Sequence, residues 1–422
     1  MPSPFIAGVF RRFPTPVRRK ISRIKSRYVS WALKMRLQPI RVDACLLGGD
    51  NGVSAATFAR MVGDVRRASR AISEWPHVKL LLQFDSIGER LWESDIFEQT
   101  DYYKNAAINI EMCGRYFGAV TTGQIQLGAR RFVNVYRGVC EPLSPQVGQS
   151  DEKNANEFIT VHPIADSNCY QVADGHHRLA IAYLKGIQEV PARIETRSVS
   201  TPIQDMLLNV LWLNGRREVY QPIHSPEVSG WVLVRRCSDR LAMMTSLLQA
   251  EGLMQPASMT YLDVACSYGW FVSEFQKMGF RAQGVERDPN AISVGETMYG
   301  LNRNQMHRSD AIGFLRASKE TFDITSCFSL AHHFLMNRLN ASAEELLHGL
   351  DSVTRRVLFF DMGQEHEEFF SGGKMAGWNP DRIHGWLEAN TTFRRIVRLG
   401  RDEDAVAPFQ KSYGRTLFAC IR

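Results

Sequence analysis

Between Met259 and Asp361 the chain alternates apolar runs with helical patterns, and three of those runs lead to an acid at a nearly constant interval. The segment MTYLDVACSYGWF opens the series. Its apolar run ends at Asp263, a loop of small residues follows (Ala265, Cys266, Ser267, then Gly269), and Phe271, Phe275 and Met278 recur at helical spacing before Gly279. RAQGVERD reaches Glu286, 23 residues after Asp263, and MHRSDAIGF places Asp310 another 24 residues on. FDITSCFSLAHHF supplies a fourth apolar run, RVLFFD a fifth ending at Asp361, and RTLFACIR closes the chain as a strand. Strands that alternate with helices describe a doubly wound α/β sheet, whose ligands sit at the carboxyl ends of the strands. The acids fall at those ends.

A dinucleotide-binding loop would read GxGxxG at this place, whereas AxSxG has a single glycine. A carboxylate such as Glu286 at the end of the next strand can accept both hydroxyls of a ribose. In order and spacing, this series resembles the class I S-adenosylmethionine-dependent methyltransferases from about Trp231 to Arg422. The resemblance implies a Rossmann-like, seven-stranded domain over 231–422. It also implies that the loop carrying Asp263, Ala265, Ser267 and Gly269 passes under the methionine end of the cofactor. Glu286 would then hold the ribose, and Asp310 with Ala311 would read the adenine edge. Ala265 and Ser267 stand where family members more often have glycine. A cofactor-free scaffold of the same fold is the competing reading.

Methyl transfer requires alignment of acceptor, methyl and sulfur, and a base only where the acceptor must lose a proton. His332, His333, Asp361 and His366 are the candidate bases. His333 is the preferred catalytic residue because the resemblance places an acceptor-facing group there. The segment from Tyr220 to Arg240 is expected to form an entry helix and lid, in which Arg235, Arg236 and Arg240 face the cofactor or serve the structure.

Upstream, residues 158–194 read as strand (FITVHPI), turn, strand (CYQVA), the polar cluster DGHHR, helix (LAIAYLK), Gly186 and strand (VPARI). A turn that delivers into a helix offers free backbone N–H groups and the positive end of the helix dipole, and Arg178 can grip a phosphate through two donors. The pentapeptide with its flanks resembles the ParB/sulfiredoxin-like superfamily, whose members bind nucleotide phosphates at this turn and include small-molecule kinases. What that implies is a smaller α+β domain over 42–200, with phosphate contacts from His176, His177 and Arg178 and a turn shaped by Asp174 and Gly175. The ligand would be ATP or another nucleotide with Mg2+. Binding alone and phosphoryl transfer both stay open, as does a purely hydrogen-bonded turn. No metal site is expected, since consecutive histidines rarely ligate one ion.

The 51 Lys and Arg exceed the 44 Asp and Glu, yet residues 1–41 hold eleven of the bases and no acid, which leaves 40 bases against 44 acids elsewhere. Within this arm Val17, Ile21, Ile24, Tyr28, Trp31 and Met35 recur at helical intervals with bases on the other faces. Residues 14–37 therefore read as a basic amphipathic helix, docked on the protein's own body or lying on an anionic membrane surface. Nucleic acid is the less favoured partner, because the body lacks an extended basic surface. The eight cysteines are scattered without CxxC pairs, and no apolar run approaches the about 18 residues of a membrane span, so a cytoplasmic location, with peripheral attachment to the inner face of the membrane open, is the expectation. The domain organisation expected is an arm at 1–41, the smaller domain at 42–200, a linker at 201–230 and the methyltransferase-like domain at 231–422. The acceptor class that suits these features is a small molecule, a glycan or a lipid-linked intermediate. A nucleic-acid-modifying enzyme and a non-catalytic, nucleotide-regulated module are the rivals.

Overall fold

The computed structural model describes residues 37–49, 53–139, 158–370 and 373–422. The amphipathic helix expected at 14–37 lies outside them apart from Leu37. The chain divides into two compact units, Met1–Pro202 and Ile203–Arg422.

In the first unit β1 (Leu37–Arg41), β2 (Cys45–Leu46), β3 (Ile159–Pro163), β4 (Tyr170–Asp174) and β5 (Glu189–Ile194) form one sheet of order β1-β5-β3-β4-β2. β1 pairs antiparallel with β5 from Leu37 opposite Arg193 to Arg41 opposite Glu189. Residues 37–41 are thus a sheet strand and not the end of the basic arm; Ile40 is buried, and Arg41 finds its ion pair locally with Asp43. The helices α1 (Pro76–Ile87), α2 (Asp101–Cys113) and α3 (Ile125–Tyr136) lie between β2 and β3 in the chain, and α4 (His176–Leu184) follows β4. Local chemistry sets their ends. Pro76 starts α1 where no amide donor is needed, and Thr100 caps α2 by accepting from Tyr103 N, while Gly114 ends it at φ 78°. Trp75, Leu80, Leu81, Phe132, Val161, Val172 and Leu179 meet in the core of the unit.

The second unit holds the short parallel pair β6 (Glu218–Val219) and β7 (Val232–Leu233) and a seven-stranded sheet. The strands of that sheet are β8 (Thr260–Val264), β9 (Arg281–Glu286), β10 (Met306–Arg308), β11 (Phe322–Cys327), β12 (Thr354–Phe360), β13 (Arg395–Arg401) and β14 (Thr416–Ile421). Their order is β10-β9-β8-β11-β12-β14-β13, parallel from β10 through β12 and antiparallel at β14. The strand sequence reverses direction at β8 and β11, the switch point where open α/β sheets leave a crevice. The helices are α5 (Ser238–Ala250), α6 (Trp270–Lys277), α7 (Pro289–Tyr299), α8 (Ala311–Ala317), α9 (Ala331–Leu335), α10 (Ala343–Val353) and α11 (Pro380–Asn390).

Two expectations need correction here. Residues 201–230 are not a linker: a helix at Pro202–Leu208 opens the segment, and Ile203, Leu207, Val210, Leu213, Val219 and Val228 pack with Tyr268, Ala291 and Val294. The polar beginning of this segment hides an apolar face spaced for burial. Nor do residues 220–237 form a lid helix, because a 3-10 turn at Pro226–Val228 and β7 intervene before α5 begins at Ser238.

If 203–230 belongs to the folded unit, Leu207→Ala should cost about 2–5 kcal/mol by leaving a cavity at a fully buried site. Urea denaturation that shows no loss would return the segment to the status of a linker.

Candidate functional site

The carboxyl edge of β8 is built around a loop in an unusual backbone conformation. Ala265, Ser267 and Gly269 have φ of 62°, 55° and 79°. Only glycine adopts this region freely, and other residues pay roughly 1–2 kcal/mol there. Specific contacts hold the loop against that strain. Cys266 N donates to Val285 O at 3.0 Å, Gly269 N to Cys266 O at 2.9 Å, and Ser267 N to Glu286 Oε2 at 3.0 Å. Gln221 clamps the same loop from outside the sheet, donating to Cys266 O at 3.2 Å and accepting from Trp270 N at 3.3 Å. Neighbouring backbone presses close. A Cβ at Gly284 would lie 2.6 Å from Cys266 Sγ, and one at Gly295 would lie 2.3 Å from Tyr268 O.

The acids predicted from sequence converge on this loop. Parallel pairing sets Asp263 beside Ser326 on β11 and Gly284 on β9, and Arg308 on β10 beside Glu286. The buried Asp263 carboxylate accepts from Ser326 Oγ at 2.7 Å, and Tyr261 OH stands 2.6 Å behind that hydroxyl. Burial pushes Asp263 up to about 7, against the pull of Ser326 and Arg240. Glu286 accepts from the backbone N–H groups of Ser267, Arg287 and Asp288 at 3.0, 2.8 and 2.9 Å, and burial still raises it above its ordinary range. Asp310 caps α8 by accepting from Gly313 N at 2.8 Å, with Ala311 as the first helical residue.

Beyond β11 and β12 lies a buried ionic network that sequence reasoning saw only in part. Arg235 pairs with Asp402, Arg240 Nη1 with Asp361 Oδ2 at 3.1 Å, and Arg415 with both oxygens of Glu367 at 2.8 Å. Ser329, held at φ 58°, receives Arg235 at 3.1 Å and Arg415 at 2.7 Å on its hydroxyl, while its N–H donates to Asp361 at 2.8 Å. Burial alone would raise Asp361, but Arg235, Arg240 and Arg415 together hold it below the usual carboxylate range. Asp361 is therefore a fixed anion, not a base, and Arg235 and Arg240 are structural.

The remaining candidate bases are separated by their surroundings. His332 is buried, accepts from Gly363 N at 3.1 Å and is held neutral chiefly by burial. His366 Nε2 donates to Tyr413 O at 3.1 Å. His333 is half-buried on α9, and burial, then the guanidiniums of Arg338, Arg415 and Arg287, push it down to about 4. It is neutral near pH 7 but a weak base.

In the first unit the DGHHR cluster divides. His176 and His177 are the first residues of α4 and point inward. His176 Nε2 accepts from Gly48 N at 3.1 Å, and His177 Nε2 lies 2.9 Å from Tyr102 OH. His77, which carried no signal in sequence, stacks on His176 at 5.5 Å, meets His177 edge-on at 4.6 Å and lies 2.9 Å from Tyr116 OH. Burial lowers all three, His176 to about 3 and the others well below 6.5. The histidines therefore do not supply cations to a phosphate, as was expected of them. Their hydrogen bonds and ring contacts lie within the core. Asp174 and Arg178 stay at the surface, paired at 2.9 Å, and Gly175, with φ 107°, leaves the N-terminus of α4 without a side-chain cap. Among the described residues no group of three or more His, Cys, Asp or Glu side chains could hold a metal ion, and no helix is long and apolar enough to cross a membrane.

No protein-family model and no curated protein matches the chain. Solved structures similar to it include the bifunctional kinase-methyltransferase WbdD, at 20% identity and a TM-score of 0.39 over 52% of this chain and 46% of that one. A co-crystal structure of WbdD with the kinase inhibitor LY294002 gives 21% identity and a TM-score of 0.40 over 52% and 47%. Magnesium protoporphyrin IX methyltransferase (ChlM) from Synechocystis PCC 6803 with bound SAM gives 15% and 0.32 over 44% and 78%. The chain spans about half the length of the WbdD structures it matches.

Two predictions come from this geometry. The first concerns acid. Histidines held neutral in the fold bind protons only when it opens, so the stability they contribute is complete above about pH 6.5 and is lost as pH falls below that value. At pH 5 each of the three should cost the first unit about 2 kcal/mol relative to neutral pH. Calorimetric scans from pH 7.5 to 5 should show this unit melting earlier in acid, with a shallower dependence in His77→Phe; a flat profile would refute the assignment. The second concerns the loop. Ala265→Gly should be neutral or stabilising by up to about 1 kcal/mol, whereas Ala265→Val should destabilise, because a β-branched residue fits the left-handed region worst. The reverse order in thermal melts would contradict the conformation described.

Proposed function

We propose that the second unit is an S-adenosylmethionine-dependent methyltransferase domain, with its cofactor at the carboxyl ends of β8, β9 and β10. The supporting observation is the pair of carboxyl groups, Asp263 and Glu286, both raised by burial and both set against the left-handed loop 265–269. A cationic ligand would stabilise both as carboxylates, so the donor set fits a sulfonium compound bearing an ammonium group. Three backbone N–H groups occupy Glu286, and a carboxylate has about four acceptor sites, which leaves capacity for a ribose hydroxyl. Asp310 and Ala311 stand at the edge where the adenine would be read. When bound, the cofactor supplies a methyl group on a sulfur that is its own leaving group. The chain's part is then to align an acceptor. His333 is a weak base, and Arg287 and Arg338 bring positive charge towards it. This surrounding suits an acceptor oxygen that is already ionised, on a small molecule, a glycan or a lipid-linked intermediate.

For the first unit the favoured reading is phosphate binding at the uncapped N-terminus of α4, with Arg178 beside it. The support is Gly175 at the N-cap, which has no side chain to cap α4 and so leaves the first N–H groups of the helix for an anion. A nucleotide with Mg2+ is the ligand class this takes, and a phosphoryl transfer that prepares the acceptor for methylation would give the two units one purpose.

Titration calorimetry with the cofactor tests the first reading. Glu286→Ala should weaken binding about tenfold or more, through loss of a charge-assisted hydrogen bond worth about 1.5–3 kcal/mol, while Asp174→Ala leaves it unchanged. Wild-type affinity in Glu286→Ala would overturn the site. Labelled methyl donor and labelled triphosphate, incubated together with membrane extract, test the sequence of steps. Methylation that runs in full without nucleotide and in Arg178→Ala would separate the two activities.

A further inference from the structure

The opposite edge of the seven-stranded sheet, where the parallel strands begin, carries an open cleft of about 860 Å³ lined by Glu251, Arg281, Asp323, Arg355, Arg356 and Arg422 among others. Four guanidiniums face two carboxylates there. A local irregularity of the sheet gathers them. Phe322 pairs with Thr354 and Ile324 with Val357, so Arg355 and Arg356 together stand against Asp323 alone. Consecutive strand residues ordinarily point to opposite faces, and an extra residue in one strand breaks that alternation. Both side chains consequently reach the same carboxylate. Arg355 takes it in a fork at 3.1 and 2.8 Å, and Arg356 Nε reaches only 3.7 Å. Thr260 fills Asp323 further, through its N–H at 2.9 Å and its hydroxyl at 3.0 Å.

Two guanidiniums are thereby left with donors to spare. Arg356 is shut out of the fork. Arg281, exposed at the start of β9, has no side-chain hydrogen bond or ion pair among the described residues. The acids nearby are already engaged: Glu251 by Arg395 at 2.6 Å and Asp351 by Arg422 at 3.0 Å. Like charge collected in a recess raises the local potential, and guanidinium groups match phosphate oxygens in pairs. The volume lies in the range of small-molecule sites.

We infer that this cleft binds a small anion carrying two or more phosphoryl groups, held by Arg281 and Arg356. The inference goes beyond the proposed methyl transfer, since it concerns the far edge of the sheet and uses none of the residues at the carboxyl ends. Inorganic tripolyphosphate is the probe, titrated calorimetrically into the full-length protein. Wild type should bind it more tightly than orthophosphate, and R281A/R356A should weaken it at least tenfold. R281K/R356K, which keeps the charge but not the fork, should fall between. Both side chains are well exposed, so the variants should melt like wild type and bind S-adenosylhomocysteine as wild type does. The comparison is made in an Arg178→Ala background, which removes the anion site proposed for the first unit, and there the binding that depends on Arg281 and Arg356 should persist. Tripolyphosphate binding in that background that is unchanged by R281A/R356A, or that is already absent before those changes, would overturn the site, the latter by placing the anion in the first unit. Sedimentation with phosphatidylglycerol vesicles that depends on Arg281 and Arg356, without any tripolyphosphate binding, would overturn it in favour of a surface contact.

Discussion

The second unit depends on a set of ions that water does not reach. Arg235, Arg240 and Arg415 on one side and Asp361, Glu367 and Asp402 on the other are each at most 3% exposed. Withdrawing such groups from water costs several kcal/mol per ion, and only complete pairing offsets it. Each ion here has a partner, and the rings of Phe271, Phe328 and Tyr413 lie within 5.2 Å of guanidinium carbons and exclude solvent. Deleting any one member would leave an opposite charge uncompensated, at a cost of about 3–5 kcal/mol. Three stretches far apart in sequence, 235–240, 329–367 and 402–415, are therefore locked together. The strained Ser329 sits where they meet.

That lock divides the carboxyl edge electrostatically. On the β8–β9 side the two carboxyl groups, Asp263 and Glu286, have hydrogen-bond donors but no ion pair among the described residues, and burial raises both. On the side of β11 and β12 the carboxylates are spent on arginines, and the groups acting on His333 are all positive. On the first side the carboxyls, raised by burial, would ionise more fully as a cation docks, whereas on the second the guanidiniums are charged throughout, so the two halves would favour ligands of opposite sign. The left-handed loop contributes by keeping backbone strained and close-packed at the join, where Gly284 and Gly295 admit no side chain.

Much of this was legible because it is written in local pattern. Asp263, Glu286 and Asp310 could be placed at strand ends from apolar periodicity and spacing alone, whereas the count of seven strands came from the resemblance, since the pattern marks six runs and leaves out β13. Ala265 and Ser267 were visible as the wrong residues for a glycine loop, though their φ values were not. What escaped was non-local. Gln221 lies in a stretch without periodic signal, yet it reaches the loop 45 residues away. The face spanning Ile203 to Val228 is apolar at intervals, but its partners Tyr268, Ala291 and Val294 belong to other elements. The bulge at Arg355 and Arg356 depends on pairing with β11, which no reading of β12 by itself contains.

DGHHR shows how residue type can mislead where direction decides. Successive residues at a helix start diverge by about 100°, and here both histidines turn into a core that Gly48 and Tyr102 complete as hydrogen-bonding partners and His77 as a ring neighbour, all from distant parts of the chain. Only Asp174 and Arg178 keep access to solvent, with side chains 43% and 33% exposed. An anion approaching the N-terminus of α4 must therefore draw Arg178 away from Asp174. A pair this exposed is worth about 0–1 kcal/mol, so the exchange is cheap, whereas a phosphate gains the guanidinium fork and the free amides together. Asp174, left unpaired by that exchange, would oppose the anion unless its side chain swings away. Under the proposed phosphate reading, affinity at this turn would be set by one ion-pair exchange, and the two histidines would bear on it only by holding the helix in place.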